Sequence, residues 1–190
     1  TTAAPAATAA PAATAAPAAT ADPVKAGMVF DIGGRGDQSF NDMAYEGLEK
    51  AQNELGAIIS DVSPNSDGSN RGELLRLMAD GNDVVIGVGF LFADDMTEVA
   101  AEYPDTYFGI VDGWVMADNV AALGFAEHEG SFLVGAAAGL KTTTDLVGFI
   151  GGVNMDLIGK FEAGFVAGVT AANPDAVVMV QYASEMPDFS

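Results

Sequence analysis

The chain has 190 residues, with 27 Asp+Glu against 7 Lys+Arg and a formal net charge of −20. So acidic a surface repels phosphate backbones and anionic lipid, which excludes nucleic acid and a charged membrane face as partners. With no Cys and one His, His128, the chain has no disulfides, no thiolate chemistry, no Cys-based zinc site and no His-rich metal site.

Residues 1–23 repeat every six residues: Thr2 to Pro5, Thr8 to Pro11, Thr14 to Pro17, Thr20 to Pro23. Proline at that spacing breaks any long helix despite the alanine. The segment reads as a disordered Ala/Thr/Pro linker, roughly 60 Å long if mostly polyproline II. A spacer of this kind suits a globular body held off a surface. No uninterrupted apolar run reaches the roughly 20 residues of a membrane span.

The globular part opens with Val24–Ile32, an apolar, partly β-branched run that reads as a strand covered on both faces. Gly33, Gly34 and Gly36 follow, then Asp37, Ser39, Phe40 and Asn41. Ser39 is the expected N-cap of a helix over Phe40–Leu55, with Asp42 three residues on. A loop at the carboxyl end of a first parallel strand is where open α/β sheets bind ligands. The glycines do not form a dinucleotide fingerprint, because the later glycine that packs helix on strand is absent.

Strands and helices then alternate. Ala57–Val62 is strand two, and Asn70 with Glu73 reads as a capping box opening helix two, which ends at Gly81. Asp83–Val88 is strand three, Phe92–Tyr103 helix three, Tyr107–Val111 strand four and Asn119–Phe125 strand five. Glu127–Leu140 is helix four, with Gly135, Ala136 and Gly139 permitting close packing. Leu146–Ile150, a turn at Gly151-Gly152, helix Leu157–Ala172 and strand Ala176–Tyr182 begin a second unit. Repeated βαβ units give a doubly wound parallel sheet. The expected division is a linker over 1–23, a first α/β lobe over 24–145, and the incomplete start of a second α/β lobe over 146–190.

Three blocks carry a family resemblance. They are Asp31 to Asn41 (DIGGRGDQSFN), Phe125 to Gly139 (FAEHEGSFLVGAAAG), and Val147 to Val153 followed by Phe161 to Val169 and Asn173-Pro174-Asp175. In this order they resemble the basic membrane protein family of substrate-binding lipoproteins of ABC importers, which includes the purine nucleoside receptor. The resemblance covers about residues 25 to 184. It implies a type I periplasmic-binding-protein fold of two lobes, the second truncated here, closing on a nucleoside by a hinge. It implies no enzyme activity, no cofactor and no metal. Its implied partners are a nucleoside-like small molecule and an ABC permease. It also implies an extracytoplasmic, cell-membrane-anchored location, with membrane contact only through a lipid anchor upstream of residue 1.

The candidate ligand-binding residues are Asp37, Ser39, Phe40, Asn41, Phe90, Asp112 and Gly152. Phe40 has a ring to stack on a purine, and the family motif has Phe at this place; otherwise it is a core residue at a helix start. Asn41 both donates and accepts, which suits a base edge or equally a helix cap. Asp37 is a hydroxyl acceptor or a solvated loop charge. Ser39 is a cap before it is a contact. Asp112 follows strand four, where a carboxylate can accept from a ribose diol or serve a turn before Gly113. Phe90 is a cleft wall or a packed loop ring. Gly152 allows backbone to approach a ligand. Two other readings stay open: a type I binding protein for a sugar or other small polar ligand, and a cytosolic α/β enzyme using Asp37 and Asp112.

Overall fold

The computed structural model describes residues 22–185. The linker expected over 1–23 lies outside them apart from Asp22 and Pro23.

Five strands, β1 (Lys25–Val29), β2 (Ile58–Val62), β3 (Val84–Val88), β4 (Tyr107–Val111) and β5 (Val120–Leu123), form one parallel sheet in the order β2-β1-β3-β4-β5. Helices α1 (Phe40–Leu55), α2 (Arg71–Ala79) and α3 (Ala93–Glu102) connect them. Alternation along β1 shows why its sequence is apolar throughout. Val29 joins Val85, Phe108 and Ile110 against Leu75 of α2 and Met96 and Val99 of α3. Met28 joins Ala26, Phe30 and Val88 on the opposite face, against Leu48 of α1. Successive side chains of a strand point to opposite faces, so a strand covered on both sides has no polar positions to spare.

The order places β1 beside both β2 and β3, so the chain leaves the sheet in two directions there. The crevice outside the carboxyl ends of such strands is the usual ligand position of an open α/β sheet.

The second unit holds α4 (Glu127–Lys141), β6 (Leu146–Val153), α5 (Asp156–Ala172) and β7 (Val177–Ser184), with β6 and β7 paired in parallel. Helix α4, grouped above with the first lobe, packs instead along α5. Glycines make this possible: a Cβ on Gly135 would strike the carbonyl of Phe165, and one on Gly168 the carbonyl of Phe132. Ser131 Oγ also donates to Phe161 O at 2.5 Å across this seam.

Several expected boundaries move. Strand one ends at Val29 rather than Ile32, because the Asp31 N–H turns away to donate to Asn41 Oδ1 at 2.9 Å. Strand β6 runs on to Val153, so Gly151 and Gly152 lie inside a strand and make no turn. A short 3-10 turn, Phe90–Phe92, precedes α3. The expected capping box of α2 does not form: Asn70 Oδ1 accepts from Asn65 N–H at 2.8 Å instead.

Candidate functional site

The β1–α1 loop is built around Asp37. Its Oδ1 accepts from the N–H of Ser39 at 2.9 Å and of Asp42 at 3.1 Å. Its Oδ2 accepts from the Asn41 N–H at 2.9 Å and from Asn41 Nδ2 at 3.2 Å. These bonds, those from Asn41 and Ser39 foremost, hold the Asp37 carboxyl below the ordinary carboxylate range. Asp42 performs a parallel task, accepting from Gly36 N–H at 2.7 Å and Gln38 N–H at 2.9 Å. The residue that caps α1 is therefore Asp37; Ser39, the expected cap, makes no side-chain cap bond. Asn41 is buried, with its amide shared between Asp31 and Asp37. Phe40 is half-buried against the core beneath α1.

A cavity of about 400 Å³ lies further along the same carboxyl edge. One wall comes from the sheet: Phe90 after β3, Asp112 and Trp114 after β4, Gly124 after β5. The other comes from the second unit: Glu127 at the start of α4, and Met155, Asp156, Leu157 and Lys160 at the start of α5. Asp112 adopts φ 60°, a left-handed conformation that Asp tolerates better than most residues, while its N–H stays bonded to Leu123 O at 2.9 Å. That geometry takes the side chain out of the sheet and into the cavity.

Two oxygens in this cavity are buried without a hydrogen-bond partner, Asp112 Oδ1 and Glu127 Oε2. Such orphans are rare because each forfeits its hydration. Burial pushes the Asp112 carboxyl above the ordinary range; the nearby Glu127 charge adds to this, and Lys160 opposes it. Burial pushes Glu127 up as well. Hydrogen bonds from its own N–H and that of Phe125, together with Lys160, outweigh the burial and leave Glu127 below its ordinary value. Lys160 Nζ stands 3.4 Å from Glu127 Oε2. Three carboxylates and one ammonium line the cavity, so the walls favour ligands that bring donors and carry no negative charge. Among the described residues, no group of three or more His, Asp or Glu side chains is arranged to hold a metal.

Of the residues expected from sequence, the structure gathers Phe90 and Asp112 in the cavity. Asp37 and Ser39 in the β1–α1 loop, and Phe40 and Asn41 in the first turn of α1, stand outside its wall, and the polar groups there are largely used internally. Gly152 sits in β6 with open space around it. Sequence reading passed over Glu127 and Lys160. The available signal was the spacing of Gly135 and Gly139 in α4 with Gly164 and Gly168 in α5, which lets the two helices touch along their backbones.

A family model described as ABC transporter substrate-binding protein PnrA-like matches residues 24–190. A Listeria monocytogenes protein named CD4+ T-cell-stimulating antigen is 40% identical over 169 residues, covering 83% of this chain and 46% of that protein. The ABC transporter nucleoside-binding protein BmpA of Lactococcus lactis is 35% identical over 170 residues, covering 87% and 48%. Among solved structures, an ABC transporter solute-binding protein from Aeropyrum pernix superimposes with a TM-score of 0.74 at 31% identity, over 84% of this chain and 47% of that one. The chain spans about half the length of the curated relatives it matches. The family is one of solute-binding proteins, not of enzymes. On the family match and these identities, the chain belongs to the PnrA-like family of ABC transporter substrate-binding proteins.

Proposed function

We propose that the protein captures a nucleoside, of the purine class, outside the cytoplasmic membrane and presents it to an ABC permease. The observation that carries the reading is the buried, unpartnered Asp112 Oδ1 in a cavity walled by Phe90 and Trp114. A sugar hydroxyl satisfies that oxygen, and an aromatic wall suits a base. The relative from Lactococcus lactis named as nucleoside-binding supports the same ligand class. Phe40, at the carboxyl edge shared with the cavity, is a second ring for a base to reach, while Asp37, Ser39 and Asn41 hold the loop that carries it. Gly152 takes no ligand role in this reading. Closure of one wall on the other traps the ligand, as in other hinged binding proteins. Anchorage through an upstream lipid fits relatives named as lipoproteins. No helix among the described residues is long and apolar enough to cross a membrane.

The test is isothermal titration of the purified full-length protein with adenosine, guanosine, inosine, free bases, ribose and amino acids. Saturable binding of a purine nucleoside, weakened in Asp112→Ala, is expected. Binding of a sugar without any nucleoside would keep the cavity and replace the ligand, because hydroxyls alone satisfy Asp112 Oδ1.

A further inference from the structure

Asp112 Oδ1 is buried without a hydrogen-bond partner, one acceptor in place for a ligand hydroxyl. The same cavity contains a second orphan. The Glu127 side chain is only 3% exposed. Its Oε1 accepts from the Phe125 N–H at 3.2 Å, which fixes the carboxylate against the segment between β5 and α4. Its Oε2 has no hydrogen bond, although Lys160 Nζ lies 3.4 Å away. An ion pair without hydrogen-bond alignment orients the carboxylate and leaves its lone pairs open. Lys160 offsets part of the cost of this burial, and a ligand hydroxyl donating to Oε2 offsets more of it.

We propose that Glu127, oriented by Lys160, is the second acceptor for a vicinal diol, so that Asp112 and Glu127 divide the two hydroxyls of a ribose between them. The inference rests on the nucleoside reading above and deepens it. Asp112 follows β4 of the five-stranded sheet, whereas Glu127 and Lys160 belong to the α4–α5 pair. A diol held by both carboxylates therefore ties the two packing units through the ligand. A 2′- or 3′-deoxy ligand leaves one carboxylate oxygen buried and unpaired, and sites built to bond a hydroxyl reject analogues that lack it.

The experiment is titration of the purified full-length protein with inosine, 2′-deoxyinosine and 3′-deoxyinosine. It uses wild type, Asp112→Asn, Glu127→Gln and Lys160→Met, with Tm recorded for each. Wild type is expected to bind inosine at least about tenfold more tightly than either deoxy analogue. Glu127→Gln should bring that ratio to within about threefold for one analogue, and Asp112→Asn for the other. Lys160→Met should lower the same ratio as Glu127→Gln when titrated below its melting range, with a reduced Tm because the buried Glu127 carboxylate loses its charge partner. A Glu127→Gln protein that weakens all three ligands by one factor, or none, overturns the inference while leaving nucleoside capture intact. Wild type that binds no nucleoside overturns both.

Discussion

Two carboxylates follow two parallel strands at the same edge of one sheet, and they are in opposite states. Asp37 accepts from three backbone N–H groups and an amide, and lies exposed with its pKa depressed. Asp112 keeps one oxygen buried with nothing to accept, and its pKa is raised. Position after a strand does not separate a carboxylate bonded within the fold from one left without a partner. What separates them is whether the protein itself supplies the donors. Asp37 finds its donors when the chain folds, while on the function proposed above Asp112 finds its donor in a ligand.

That contrast breaks first at Asp112. Asp112→Ala is expected to cost about 1.5–3 kcal/mol of ligand binding, a roughly 10- to 150-fold rise in Kd by titration. Its Tm should be no lower than wild type, since the change removes a desolvated charge. A fall in Tm with unchanged Kd would reverse the assignment.

The pH dependence of affinity has the next largest effect. Asp112 has a raised pKa in the free protein, so the ligand-free fold gains at this site as pH falls through that value. Hydroxyl donors favour the ionised form, so affinity moves the other way. Below the raised pKa, Kd should climb by up to about tenfold per pH unit, and Asp112→Asn should flatten the profile.

Asp37 sharpens the other side. Asp37→Ala should lower Tm and raise Kd much less than Asp112→Ala does, since Asp37 acts on the ligand only by holding the loop that carries Phe40. The Asp37 pKa is depressed by folding, so its contribution is fully present above the unfolded value of 3.8 and is lost as pH falls through the lower folded value. Thermal melts from neutral pH into that range should show wild type converging on the variant. The smallest effect belongs to Phe90→Leu. Loss of the aromatic wall should cost about 0.5–1.5 kcal/mol for a nucleoside and little for free ribose, read as the ratio of the two Kd values.

The alternation of strands and helices was legible because doubly covered strands leave continuous apolar runs, as in Val84–Val88, and Gly or Pro ends most elements. The family was legible from three ordered blocks. Helix starts were less so. Ser39 and Asn70 are good caps by type, but Asp37 reached the free N–H groups of α1 first and Asn65 engaged the Asn70 side chain. The second wall of the cavity was not legible at all. Glu127 and Lys160 are 33 positions apart in the chain, and they meet only because glycines let α4 lie against α5. A sequence shows what each helix can bury, but not which neighbour will stand beside its first turn.

The backbone contact between α4 and α5 has a mechanical consequence. Helix α4, with 15 residues, is about 22 Å long. It starts at the cavity with Glu127 and ends at Lys141, far from any ligand. Two helices seated main chain on main chain pack as one pair, joined to β5 by the Gly124–Ala126 segment. Were the pair to turn by about 10° about that segment, the Lys141 end would move through about 4 Å.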